Sequence, residues 1–516
     1  MSLGSALHAG VRLLADRPAS VLPVYLLGAG LTATVRVPIL LAIATTVALL
    51  ASDGRLETLV TELDSYLQNT DFQSDAMATP PELPPGLESA FADLFSLPVV
   101  AVLVVGVVAS LLIGVVATGL ANAAALHGVY GALIDDDAVD AALAGLGRDW
   151  GAFVGLSIVE TALVVLGFVP AAIGLSLLAV SPAAGVVATV VGVLLGVAVV
   201  IIGLLALAFA GQSIVVDDTG LGGGIRRSVG FPFRQPRAFV GYVLVAIGIF
   251  AALSVTGSLF SILGVSQLSG IVGPLVALPF LDIFKLAIYA DRPLPGVDME
   301  SPADDDAESS AGSASQPSHR KRAVAAFRDG FGALGGFIVG HPLAILLATA
   351  IFALSAVASF QLTAGLGTEI PLPDDVRNVF GAVPLGTFVM LAANNWLVSA
   401  TAAYGGVALG VPTAVDMLLN GAILGALYGV TDPLGFVALV APHGVIELPV
   451  IFVAGGLGFH VAGTVAGLFV GRRDRADLAA ALRLAYRVLL GLAVVLVVAA
   501  FIEAFLTPRI AAAVLG

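Results

Sequence analysis

His443 and Glu447 stand four residues apart in the segment Ala441-Pro442-His443-Gly444-Val445-Ile446-Glu447-Leu448-Pro449, inside an apolar run from about Leu434 to Val470. On a helix this spacing puts imidazole and carboxylate on one face, one turn apart, within reach of a hydrogen bond or ion pair. Such a pair could do acid–base chemistry, hold a polar ligand or help bind a cation. Ionisable groups at membrane depth cost roughly 2.5 to 3.5 kcal/mol each on insertion scales, so they mark places where a chain needs them. Pro449 removes an amide donor and leaves the carbonyl of Val445 without its usual partner. With Pro442 it predicts a helix that is kinked or locally opened.

The carboxamides of Asn394, Asn395 and Asn420 must also find partners inside lipid, and His443 or Glu447 could draw them into one polar cluster. One reading is a site for a small polar ligand, an ion or a lipid head group. The other is glue, interhelical hydrogen bonds worth about 0.6 to 2 kcal/mol each. Two ligands do not make a metal site, and His460 lies nearly four turns beyond Glu447 along the same helix, so neither a metal nor a cofactor is expected. A hydrolase would need a nucleophile. Ser399, one turn from Asn395, is the nearest serine, and no Gly-x-Ser-x-Gly elbow exists, so the chain reads as a non-enzyme.

Those residues sit in a chain of 516 residues that is 59% hydrophobic and 11% charged. That is more apolar surface than a soluble core can bury, and runs rich in Gly, Ala, Val and Leu exceed the roughly 20 residues that cross a bilayer as a helix. The fold class is all-α, a polytopic helical membrane protein. Met1 to Pro18 is amphipathic and the first apolar run is long enough to span, so insertion without processing is expected.

Spans are expected near residues 20–51, 97–133, 152–180, 184–214, 238–260, 269–290, 336–364, 383–409, 414–430, 434–469 and 486–506, with kinks or re-entrant turns at Pro38, Pro170, Pro442 and Pro449. They divide into a six-helix module over 1–292, an acidic linker over 293–319 and a five-helix domain over 320–516. A short arginine-bearing amphipathic segment precedes a span at Arg12 to Leu31, Gly145 to Leu166 and Ile225 to Phe250, with a fourth copy opening at Ala323. These are either interfacial elbows or traces of internal duplication. Gly421, Gly425 and Gly429 form a stripe for close helix approach. Gly220 to Gly224 beside Arg226 and Arg227 lacks the Lys-Ser/Thr ending of a phosphate loop and reads as an interfacial turn.

Of 22 basic residues, 17 fall in segments on one side if the N-terminus is cytoplasmic, which sets the N-terminus inside and the C-terminus outside a cell membrane. Nine carboxylates against the single Arg55 lie between Ser52 and Phe95, and the net charge is −14. Nucleic acid is therefore excluded as a partner. The lipid bilayer is the first partner, with a protein partner or a second copy of the chain expected beside it. An acidic, lysine-poor chain with no cysteine points to a high-salt cytoplasm, as in a halophilic archaeon. It also excludes disulfides and thiolate chemistry.

From about Lys321 to Arg509 the chain resembles the stage II sporulation protein M family. The residues that carry the likeness are Phe388 to Asn395, Leu419-Asn420-Gly421, Ala441 to Pro449, Ala454 to Gly458 and Ile502-Glu503-Ala504-Phe505-Leu506-Thr507-Pro508. The resemblance implies an integral membrane scaffold or permease-like subunit that acts with partner proteins in envelope or membrane remodelling; a secondary transporter using the His/Glu/Asn site is the alternative. Glu503 itself reads as a carboxylate reaching water at the outer end of the last span. The first half resembles the multispan domains attached to glycerophosphoryl diester phosphodiesterases, on Ser213 to Gly220 and Ile225-Arg226-Arg227-Ser228.

Overall fold

The computed structural model describes residues 2–69, 84–291, 319–365, 376–378 and 383–516, and these are helical with no strand among them. The linker expected at 293–319 lies outside the described residues except for His319, which opens a helix. Among the described residues eleven helices are long and apolar enough to cross a membrane. The chain is an all-α, multi-pass membrane protein.

Side-chain placement explains why. In Pro182–Leu207 the buried positions are Gly185, Gly192, Gly196 and Leu207, while Val187, Leu194 and Ile202 point outward and are more than half exposed. A water-soluble helix buries its large apolar residues and keeps the polar ones outside. Here the small residues face protein and the large apolar ones face lipid, because lipid tails are as apolar as leucine and tight backbone packing is what remains to hold helices together.

The eleven helices differ from expectation at two places. By length and hydropathy alone His319–Gly340 is included and Leu385–Tyr404 is left out, because Asn394, Asn395 and Trp396 lower its hydropathy, although its Ala400, Ala403 and Tyr404 pack into the core. The elbow pattern also changes. Leu3–Asp16 turns into Pro18–Thr32 at Arg17, Leu221–Arg234 into Pro236–Ile262 at Gln235, and His319–Gly340 into Pro342–Thr363 at His341. Each hinge residue has φ between −133° and −129° and is followed by proline at the first helical position. Proline disfavours helical backbone before it and starts a helix well, so the dipeptide itself sets the corner. The expected copy at Gly145 has no such proline, and Ala138–Gly167 runs straight through it. The expected turn at Gly220 to Gly224 is instead a cap at Gly220 and the first turn of Leu221–Arg234.

The two halves pack on one another around a shared core that includes Val24, Leu27, Phe284, Tyr404, Leu457 and Leu489. A Cβ on Gly30 would run into the carbonyl oxygen of Tyr404, so the first and second halves touch backbone to backbone there. At one end of the bundle Arg17 pairs with Asp135, Arg322 with Asp16, and Arg483 with Asp137 and Asp140. All of these residues belong to segments that the arginine and lysine distribution groups on one side.

The glycine stripe also packs as its spacing predicts. A Cβ at Gly421, Gly425 or Gly429 would collide with Phe352 O, Ala356 O or Thr363 Oγ1. Replacing Gly425 by leucine should therefore cost at least about 2 to 3 kcal/mol, since the obstacle is backbone. Gly335→Ala meets nothing within 4 Å and should be neutral or stabilise by about 0.5 to 1 kcal/mol. Thermal unfolding of the detergent-solubilised variants, followed by circular dichroism, checks the pair.

Candidate functional site in the second half

His443 and Glu447 lie on Pro433–Phe469, which continues unbroken through both Pro442 and Pro449. The expected local opening does not occur. Each proline removes only one ladder bond, and beyond Pro449 the helix continues through a packed stretch in which Val450, Ile451, Val453 and Ala454 are buried. At 1.5 Å per residue, His443 and Glu447 lie about 15 and 21 Å from the start of this helix, well within its length.

The partner they meet is Glu503, which the linear position of the residue did not reveal. It sits in a π-helical turn, Ile502–Leu506, inside the last long helix. Pro508 has no N–H to give the carbonyl of Ala504, and the chain answers by widening one turn, so that the N–H of Thr507 donates to Ile502 O. The Ile-Glu-Ala-Phe-Leu-Thr-Pro ending thus has a local physical reason. It turns Glu503 toward His443 and places Thr507 behind the imidazole.

His443 Nε2 lies 3.8 Å from Glu503 Oε1, and His443 Nδ1 lies 3.4 Å from Thr507 Oγ1. Neither is a short hydrogen bond. One ligand atom from each of His443, Glu447 and Glu503 lies within 4.8 Å of the others. The side chains of His443 and Glu503 are 13% and 18% exposed. Glu503 Oε2 is buried with no hydrogen-bond partner.

The carboxamides do not join this cluster. Asn394 Nδ2 donates to Asn395 Oδ1 at 3.3 Å, Asn395 is buried while Asn394 is exposed, and Asn420 Nδ2 donates to the carbonyl of Asp416 at 2.8 Å. Among the described residues no hydrogen bond links them to His443 or Glu447. The expected five-residue site therefore separates: His443 and Glu447 gain Glu503, and the hydrogen bonds of the asparagines stay within their own helices. Ser399 spends its hydroxyl on the carbonyl of Asn395, one turn back. His460 packs edge-on against His341, with ring centroids 4.2 Å apart, away from the cluster.

Two further sets of charges lie at membrane depth. Arg36 pairs with Asp416 at 2.7 Å across the two halves, Asp416 being 4% exposed. In the first half Tyr25 donates to Asp282 at 2.9 Å, and Lys285 sits 5.6 Å from the ring centre of Tyr242. Sequence reasoning missed both sets; the signal that could have found them is a lone base, Arg36 or Lys285, inside an apolar run. Asp416 is buried but the Arg36 side chain is 38% exposed, so Arg36→Ala should destabilise by about 1 to 3 kcal/mol, less than for a fully buried pair, and adding Asp416→Ala should recover most of that loss. Unfolding midpoints of the two single variants and the double variant measure the coupling; additive losses would contradict it.

Residues 343–508 match the family described as Stage II sporulation protein M. That stretch holds Asn394, Asn395, Asp416, Asn420, His443, Glu447, Glu503 and Thr507. An uncharacterised protein of Methanocaldococcus jannaschii is 26% identical over 129 residues, which cover 24% of this chain and 72% of that protein. No solved structure matches the chain. The likeness to the stage II sporulation protein M family is thus supported for the C-terminal half, and the family match leaves residues 1–342 outside it.

Proposed function

We propose that this membrane protein is permease-like and that its second half handles a proton or cation at His443, Glu447 and Glu503. One observation carries the reading. Three ionisable side chains from two helices meet at membrane depth without satisfying one another, and Glu503 Oε2 is buried with no donor. Elsewhere in this chain polar groups that join helices close short contacts: Arg36 meets Asp416 at 2.7 Å, although its Nε stays without a partner, and Thr413 Oγ1 donates to Ala402 O at 2.7 Å. Two carboxylates and an imidazole left without such bonds in a low-dielectric interior need protons or a bound cation. The basic-residue count orients the N-terminus to the cytoplasm in this reading.

A scaffold acting with partner proteins is the second reading. It is favoured by the lock between the halves, where Gly30 abuts Tyr404 and Arg36 holds Asp416, since these contacts resist the rocking of one bundle on another that alternating access uses.

The chain has no cysteine, so single-cysteine variants need no prior engineering. Glu447→Cys in sealed membrane vesicles should react with a membrane-impermeant thiol reagent from one side. Val445→Cys, on an outward-facing position that is 71% exposed toward the lipid, should stay unlabelled. Protection of Glu447→Cys from both sides would remove the permease-like reading and leave the scaffold.

A further inference from the structure

We propose that His443, Glu447 and Glu503 are the protein ligands of a divalent first-row transition-metal ion, with Thr507 fixing the imidazole from behind. The inference rests on reading the cluster as ion-handling and names the ion class. The expectation of no metal came from counting two ligands, and Glu503 supplies the third.

Ligand type comes first. One imidazole and two carboxylates, with no sulfur, suit zinc or manganese; calcium and magnesium prefer oxygen alone and gain little from histidine. Distance comes next. Zinc bonds of about 2.0 to 2.2 Å put neighbouring tetrahedral ligands about 3.4 Å apart. The three ligand atoms here lie within 4.8 Å of one another, and the Nε2 to Oε1 separation is 3.8 Å. Small side-chain rotations close that difference, and three protein ligands leave a fourth position open.

Orientation follows. Metal-binding histidines commonly donate their second ring N–H to an oxygen, which fixes the tautomer. With Nε2 facing Glu503, Nδ1 faces Thr507 Oγ1 at 3.4 Å. That hydroxyl belongs to a residue only 2% exposed, on the turn widened ahead of Pro508. Charge gives the last argument. A dication neutralises two carboxylates, and a neutral assembly is the form that an apolar surrounding tolerates best.

The test uses the full chain in detergent, stripped with a chelator and titrated separately with Zn2+ and Mn2+. Metal content is read by mass spectrometry of the desalted protein, and Co2+ substitution is read by visible absorption. One equivalent should bind. Glu503→Gln and His443→Ala should each weaken binding by more than about 10-fold, and Thr507→Ala by about 10-fold. His341→Ala should bind as the parent does, which separates this site from the edge-on His341 and His460 rings. Unchanged gel-filtration profiles and unfolding midpoints for Glu503→Gln show that loss of binding is not loss of fold. Absence of a stoichiometric ion on the parent chain, or full binding by Glu503→Gln, would overturn the proposal. If the metal fails while Glu447→Cys still labels from one side, the cluster handles protons; if both fail, the ion-handling reading falls with it.

Discussion

Inside a bilayer no water completes an unmet hydrogen bond, and that single constraint organises this molecule. Helices close their own backbone bonds, so the described residues form helices joined by short turns, with no strand among them. Side chains with polar atoms are then drawn to carbonyls on neighbouring helices: Tyr404 donates to Leu482 O, Trp396 to Leu489 O, and Ser355 to Leu418 O. Charges are matched with charges, as at Arg36 and Asp416. Against that background the His443, Glu447 and Glu503 cluster brings three ionisable groups within 4.8 Å of one another and leaves Glu503 Oε2 buried with no partner.

Small residues do the rest of the holding. Gly30, Gly421 and Gly425 let backbones meet where any side chain would intervene, and the contact at Gly30 joins the two halves. The division into an N-terminal module and a C-terminal domain is therefore a division of sequence rather than of packing, since the core passes between them. The recurring turn at Arg17, Gln235 and His341, each followed by proline, occurs in both halves and gives physical content to the repeated elbow.

Much of the fold was legible because hydropathy over twenty-residue windows reports directly on the solvent a helix sees. The glycine stripe was legible because its period is that of the helix. The limits came from two sources. Leu385–Tyr404 and His319–Gly340 sit near the hydropathy boundary, where two asparagines or a basic first turn decide the outcome. The site was read by proximity in sequence, which links His443 with Glu447 but says nothing of what stands across from them. Glu503, 56 positions beyond Glu447, carried the same signal, a carboxylate in an apolar run. Its place near the end of that run concealed its role. The asparagines carried the signal too, but a carboxamide can be satisfied by a neighbour on its own helix, as Asn420 is by the carbonyl of Asp416, whereas two ionised carboxylates need a proton or a cation between them.

The central claim is that Glu503, and not the carboxamides, faces His443 and Glu447 within the membrane. Pairwise cysteine bridging by Cd2+ in native-like vesicles tests it most directly. Glu447→Cys combined with Glu503→Cys should bridge, protecting both thiols from later alkylation, while Glu447→Cys combined with Asn420→Cys should leave both thiols reactive. Free thiols in the first pair, or equal protection in the second, would contradict the account.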